Sequence, residues 1–157
     1  MVIEPYRPDH RGACLTLFDS NVPRFFRAEE RGEFETFLDA PPGPYLVGRI
    51  DGDVIAAGGY AEDLSQAGAW VLCWGMVAAP LHQQGFGRTL LHARLQALSE
   101  LPGFREARIN TSQHTRGFFE RFGFIVTAIE QDGFGPGLHR YAMSRFRSVG
   151  DGGSWLA

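Results

Sequence analysis

Cysteine is nearly missing from this chain: Cys14 and Cys73 are the only two in 157 residues. They are too few and too far apart for a disulfide framework, and neither has a partner at metal-ligand spacing. Both are expected to be free thiols, and no metal site is expected. Nowhere do about 18 apolar residues run together, as a membrane-crossing helix requires, so a soluble chain without a membrane partner is expected. The opening residues, MVIEPYRPDH, lack the apolar stretch of a secretory signal and point to a cytoplasmic protein. Lysine and arginine form no cluster and the net charge is −3, which excludes the concentrated positive charge that a nucleic-acid backbone demands.

What is present is an ordinary globular balance, 44% apolar and 21% charged. A chain of this length buries roughly two-thirds of its unfolded surface around one core, so residues 1–147 are expected to form one domain. Residues 148–157, rich in glycine and serine, read as a frayed C-terminal tail. Hydrophobic periodicity orders the domain. Residues 2–6 read as a strand and 9–19 as a helix, with a second helix over 28–38 that ends at Pro41-Pro42-Gly43-Pro44. Residues 45–50 and 54–60 flank Asp51-Gly52-Asp53 as a hairpin. Residues 70–77 form an apolar strand and 85–99 a helix striped by Leu90, Leu91, Leu95 and Leu98. A strand over 108–111, a short helix over 114–122 and a hairpin of 124–129 with 138–146 complete a mixed α/β order.

The most informative stretch is VAAPLHQQGFGRTLL, residues 77–91, where a strand breaks at Pro80 and a helix begins near Gly85. The first turn of a helix has unpaired N–H groups and the positive end of the macrodipole, so an anion placed there needs no basic side chain. Gly85 and Gly87 let the backbone approach a phosphate closely, and Arg88 adds charge. A second reading is a tight strand-to-helix connection with no ligand. The dinucleotide fingerprint fails because Leu90 replaces its third glycine, and no Gly-Lys-Ser/Thr follows for a P-loop.

These residues resemble the GNAT superfamily of N-acetyltransferases, whose cofactor motif (Gln/Arg)-x-x-Gly-x-(Gly/Ala) reads here His82-Gln83-Gln84-Gly85-Phe86-Gly87. Phe118-Phe119-Glu120-Arg121-Phe122-Gly123-Phe124 is similar to the family's later helix-to-strand segment, aromatic-Tyr-x-x-x-Gly-Phe. The resemblance implies a splayed, mostly antiparallel central sheet flanked by helices. It implies acetyl-CoA as co-substrate, with Met76 and Val77 on the pantetheine arm, residues 82–88 on the pyrophosphate, and Phe118 and Phe119 against the other side of the arm. Gly75 would mark the bulge where the strands part. The implied partner is an amine acceptor on a small molecule or peptide, and a homodimer is compatible with the family.

Two positions depart from the family pattern. His82 stands for the usual glutamine or arginine, and Phe119 for a tyrosine that in many relatives protonates the departing thiolate. Residues 71–79 contain no Asp or Glu to serve as base. His139 and Tyr141, at the start of the last strand, are the remaining proton-handling candidates, since histidine titrates near neutrality and a phenol can donate. Each has a structural alternative: a surface histidine beside a loop, and a half-buried strand tyrosine that packs. Phe134 and residues 21–26 give the acceptor's expected entrance an aromatic character. The alternative function is a non-catalytic acyl-CoA sensor or protein-interaction module on the same fold.

Overall fold

The computed structural model describes residues 1–147, so the expected tail over 148–157 lies outside the described residues. Alternating apolar residues form seven strands in one sheet: β1 (Val2–Pro5), β2 (Tyr45–Ile50), β3 (Asp53–Glu62), β4 (Ala69–Val77), β5 (Glu106–Thr111), β6 (Ile125–Gly135) and β7 (Leu138–Phe146). Helices α1 (Arg11–Ser20), α2 (Arg31–Asp39), α3 (Phe86–Ser99) and α4 (Arg116–Glu120) connect them. The expected order holds, with three adjustments. Short 3-10 turns at Pro8–His10 and Ala28–Glu30 replace the first turns of the two early helices. The fourth helix is five residues long because turns take both of its ends: Ser112 O accepts the N–H of Thr115 at the start, and Phe119 O accepts the N–H of Phe122 at the finish. β6 runs on to Gly135, past the expected end at 129.

The strand order is β1-β2-β3-β4-β5-β7-β6. Every neighbouring pair is antiparallel except β4 and β5, which run parallel and are joined through α3, as a parallel pair requires a crossover helix. That pairing covers only Ala69–Val71 against Glu106–Arg108. Past Val71 the two strands part into a wedge. β4 is distorted there: Ala57 pairs Met76 but Gly59 pairs Cys73, a register shift, and Trp74 adopts φ +43°.

Each sheet face has its own apolar core. Phe18, Phe34, Tyr45, Val47 and Met76 fill the layer under α1 and α2, while Leu91, Leu95, Leu98, Phe104, Phe119 and Phe124 fill the layer under α3 and α4. Both cysteines are free, as expected.

The closed end of the wedge is pinned by charge. Arg108 Nε donates to Glu106 Oε1 at 2.9 Å and Nη1 to Asp63 Oδ2 at 2.7 Å, and Ser144 Oγ donates to Glu106 at 2.6 Å. Burial pushes the Glu106 carboxyl up, but hydrogen bonds from Arg108 and Ser144 outweigh it and hold it below its ordinary range. Ser65, and then Arg108, lower Asp63 in the same way. Carboxyls whose folded pKa is depressed contribute stability above their unfolded pKa and lose it as pH falls through the folded value. The fold should therefore weaken on acidification below the ordinary carboxylate range of about 4. Arg108→Ala, which leaves Glu106 buried without its cation, should cost about 1–3 kcal/mol in urea denaturation at neutral pH and flatten that acid dependence.

Candidate functional site

The site is built where β4 leaves the sheet. Gly85 caps α3 at φ +86°, and Gln83 before it also has positive φ, +64°. The first N–H returned to the helix is that of Thr89, which donates to Gly85 O at 3.1 Å. Among the described residues, no backbone hydrogen bond takes the N–H of Gln83, Gln84, Gly85, Phe86, Gly87 or Arg88. These free donors sit at the positive end of a 14-residue helix. A Cβ added at Gly85 would meet no heavy atom within 4 Å, so the space above it is open. At Gly87 a Cβ would lie 3.6 Å from Phe118 and 3.8 Å from Val77 Cγ2. The loop therefore opens on one side and abuts α4 and the mouth of the β4–β5 wedge on the other. Such a set of donors fits an extended anion such as a pyrophosphate.

Helix α1 holds this loop in place. Val77 O accepts Asn21 Nδ2 at 2.9 Å and His82 Nε2 at 2.9 Å, and Ser20 Oγ accepts the N–H of Ala79 at 3.2 Å. Asn21 Nδ2 also donates to Leu17 O at 2.8 Å, which is how a buried amide at a helix end is satisfied. The His82 ring thus faces β4 and ties the loop to the strand, leaving its backbone to face outward. Sequence reasoning had no signal for Ser20, or for Asn21 as part of this clamp. The segment after α1 lies over it: Phe25 packs edge-on against His82 at 4.9 Å and against His114 at 6.0 Å. The Arg27 guanidinium occupies the place where a side chain at Gly135 would stand, so the same segment also rests on the β6–β7 turn.

Along the wedge, Met76 turns its side chain into the α1–α2 core and leaves only backbone toward the opening. Gly75, beside it, is exposed in the middle of the sheet. Tyr45 Oη donates to Trp74 O at 3.0 Å and fixes the distorted peptide before Gly75. Because a trans peptide directs C=O and N–H oppositely, that bond turns the Gly75 N–H away from Tyr45.

The proton-handling candidates are placed unevenly. Phe119 is 7% exposed and wedged between Phe118 and Phe124, a core position. Tyr141 is half-buried, opposite Thr111 at the splayed end of β5, with the Arg116 guanidinium 5.4 Å from its ring centre. His139 is tied into the hairpin: Asp132 N–H donates to Nδ1 at 2.9 Å, and His139 N–H donates to Gln113 Oε1 at 2.9 Å. With Nδ1 accepting, the neutral ring carries its proton on Nε2 and offers a donor there.

The model of the Acetyltransferase (GNAT) family matches residues 14–124, more than half the chain. The chain belongs to the GNAT acetyltransferase family. No curated protein matches this GNAT chain significantly in sequence. Among solved structures, a GNAT-family protein from Desulfovibrio desulfuricans superposes with a TM-score of 0.79 at 22% identity, over 92% of this chain and 98% of its own. A ribosomal-protein-alanine N-acetyltransferase from Brucella melitensis gives 0.73 at 17% identity, over 94% and 100%. An aminoglycoside 6'-N-acetyltransferase complexed with coenzyme A gives 0.76 at 12% identity, over 93% and 97%. At these identities the likeness is one of fold, and it covers more than nine-tenths of the chain, a larger share than the family model matches.

Proposed function

We propose that the chain is an N-acetyltransferase that moves the acetyl group of acetyl-CoA, taken as a co-substrate, to an amine of a small molecule or peptide. The observation that carries the proposal is the turn at Gly85: a left-handed residue with open space above it, followed by unpaired N–H groups at the head of α3 and set at the mouth of the β4–β5 wedge. The backbone of residues 83–88 holds the pyrophosphate, with the Gln83, Gln84, Phe86 and Arg88 side chains around it and His82 tying the loop to β4 behind it. The backbone of Met76 and Val77 holds the pantetheine arm, and Phe118 with the edge of Phe119 closes its other side. That a structural neighbour was solved with coenzyme A supports this use of the fold.

The reaction needs a neutral amine, a polarised carbonyl and a leaving thiolate. Holding both substrates in one wedge supplies proximity, and an outward N–H on the bulged strand stabilises the carbonyl oxygen as it gains charge. A thiol of pKa about 8.5 leaves without full protonation. Of the two candidates, Tyr141 stands closer to the splayed end of β5, and His139 serves the acceptor side through the donor at Nε2. Proton removal from the amine passes through water.

A second reading, an acyl-CoA sensor without turnover, draws on Phe119 and on the missing carboxylate over residues 71–79. A thiol-release assay with acetyl-CoA against a panel of amines, amino acids and peptides separates the two. Amine-dependent release with matching acetylated product is expected; acetyl-CoA binding with no release across the panel favours the sensor. Phe119→Tyr, which adds a hydroxyl at a packed core site, is expected to leave kcat within about threefold, because that position is not where protons are handled; a tenfold gain, about 1.4 kcal/mol, would return the general acid to it.

A further inference from the structure

Arg94 is a buried charged side chain that the reading above leaves without a task. It projects from the middle of α3 into the sheet, is 3% exposed, and its Nε and Nη1 have no hydrogen-bond partner. No carboxylate pairs with it among the described residues. A buried guanidinium without an anion is costly to keep, since charges taken out of water are normally paired. Its position is specific. A Cβ added at Gly75 would come within 2.9 Å of Nη1 and 3.0 Å of Nη2, and one added at Gly58 within 3.1 Å of Nη1. Two glycines on adjacent strands thus make the room for this head group, and one of them is the exposed residue of the β4 bulge.

Resting on the acetyl-transfer reading, we propose that the Arg94 guanidinium, set behind the Gly75 bulge, supplies the positive charge that stabilises the departing CoA thiolate in a site with no phenol at position 119. In the transfer, the amine nitrogen bonds to the acetyl carbonyl carbon and the C=O π pair moves onto oxygen. When that pair returns, the C–S bond breaks and its electrons leave on sulfur as CoA thiolate, while the ammonium proton passes to water. Negative charge appears first on oxygen and then on sulfur, on the open side of the strand whose back Arg94 touches. Arg94 does not meet the reacting atoms; it acts across the Gly75 backbone as a positioning residue, through a low-dielectric layer where a fixed charge is weakly screened. The groups that face it are Cys73 from β4 and Tyr45 from β2. Burial pushes the Cys73 thiol up to about 11 and Tyr45 well above its ordinary value, so both are neutral partners at neutral pH. Burial lowers Arg94 to about 10, which still leaves it charged there.

The test separates sulfur from the rest of the ligand. Calorimetric titration of the full chain with CoA and with acetyl-CoA across neutral to mildly alkaline pH compares a ligand that can ionise at sulfur with one that cannot. CoA affinity should rise with pH by up to tenfold per unit below the free thiol pKa of about 8.5, while acetyl-CoA affinity stays flat and accounts for every other titrating group. Arg94→Met should abolish the CoA rise, leave acetyl-CoA affinity within about threefold and lower kcat by an order of magnitude or more; Arg94→Lys should retain most of the rise. If CoA affinity rises equally in wild type and Arg94→Met, or does not rise in wild type, the proposal falls while acetyl-CoA binding stands. If wild type does not bind acetyl-CoA at all, the transfer reading falls first and takes this one with it.

Discussion

Replacing Gly85 by valine should lower acetyl-CoA affinity at least 100-fold, about 2.7 kcal/mol by calorimetry, while the chain still folds. Two effects act on the ligand side. Gly85 holds φ +86°, a conformation that costs an L-residue roughly 1–2 kcal/mol and a β-branched one more. If the backbone relaxes to negative φ, the N–H groups of residues 85–88 swing off their common direction. If it does not, the isopropyl group fills the open space above the turn. The cost to the fold is confined to that backbone strain, because a Cβ at this place touches nothing within 4 Å. Gly87→Ala is the internal control: it lies inside α3, its added carbon meets Phe118 at an ordinary 3.6 Å, and alanine favours the helix. It should therefore keep or raise thermal stability and weaken binding less than Gly85→Val. Unchanged affinity in Gly85→Val would remove the ligand from this turn.

The second large effect is one of stability, and its sign is the unusual part. Arg94→Met exchanges a buried, unpartnered charge for an apolar chain of similar length, and such replacements are commonly neutral or stabilising by about 1–4 kcal/mol. The midpoint of thermal unfolding should rise, by about 2–4 °C for each kcal/mol in a chain of this size, although the residue lies in the middle of the core. Because burial depresses Arg94 in the folded state to about 10, the unfolded chain binds more protons at this group above that value, so the Arg94 contribution to wild-type stability should recover, measured against the variant, as pH climbs from about 10 toward the ordinary arginine value, while the raised Tyr45 and Cys73 weaken both proteins there. The variant should lack that recovery. A lower midpoint in Arg94→Met, beyond what lost packing explains in a companion Arg94→Leu, would mean that Arg94 has a structural anion or water partner and serves the fold.

Much of this was legible before the structure, and the reasons differ from place to place. The helix 86–99 and its glycine turn were readable because leucines at helical spacing and two glycines before them are local signals. The β2–β3 hairpin followed from turn chemistry at Asp51-Gly52-Asp53. The short helix after β5 was overextended because residues 114–115 and 121–122 form turns that have no helical period to betray them. Arg94 was invisible for a different reason: by periodicity it falls on the buried stripe of α3, where an arginine reads as a residue that reaches out to water, and only the glycines of two other strands show why it stays inside. Asn21 was read as part of an aromatic entrance, yet its partner Val77 is 56 residues away, a separation that no local pattern encodes.

The segment between α1 and α2 rests at one end on His82 through Phe25 and at the other on Gly135 through Arg27. It is therefore a beam across the mouth, with one foot on the loop proposed for the cofactor and one on the β6–β7 turn, proposed to border the acceptor. Whatever firms one foot changes the free energy of the other, and thermodynamic linkage makes that exchange reciprocal. If an acceptor tightens acetyl-CoA binding by some factor, acetyl-CoA must tighten acceptor binding by the same factor, and shortening Phe25 to alanine should bring both factors toward one together.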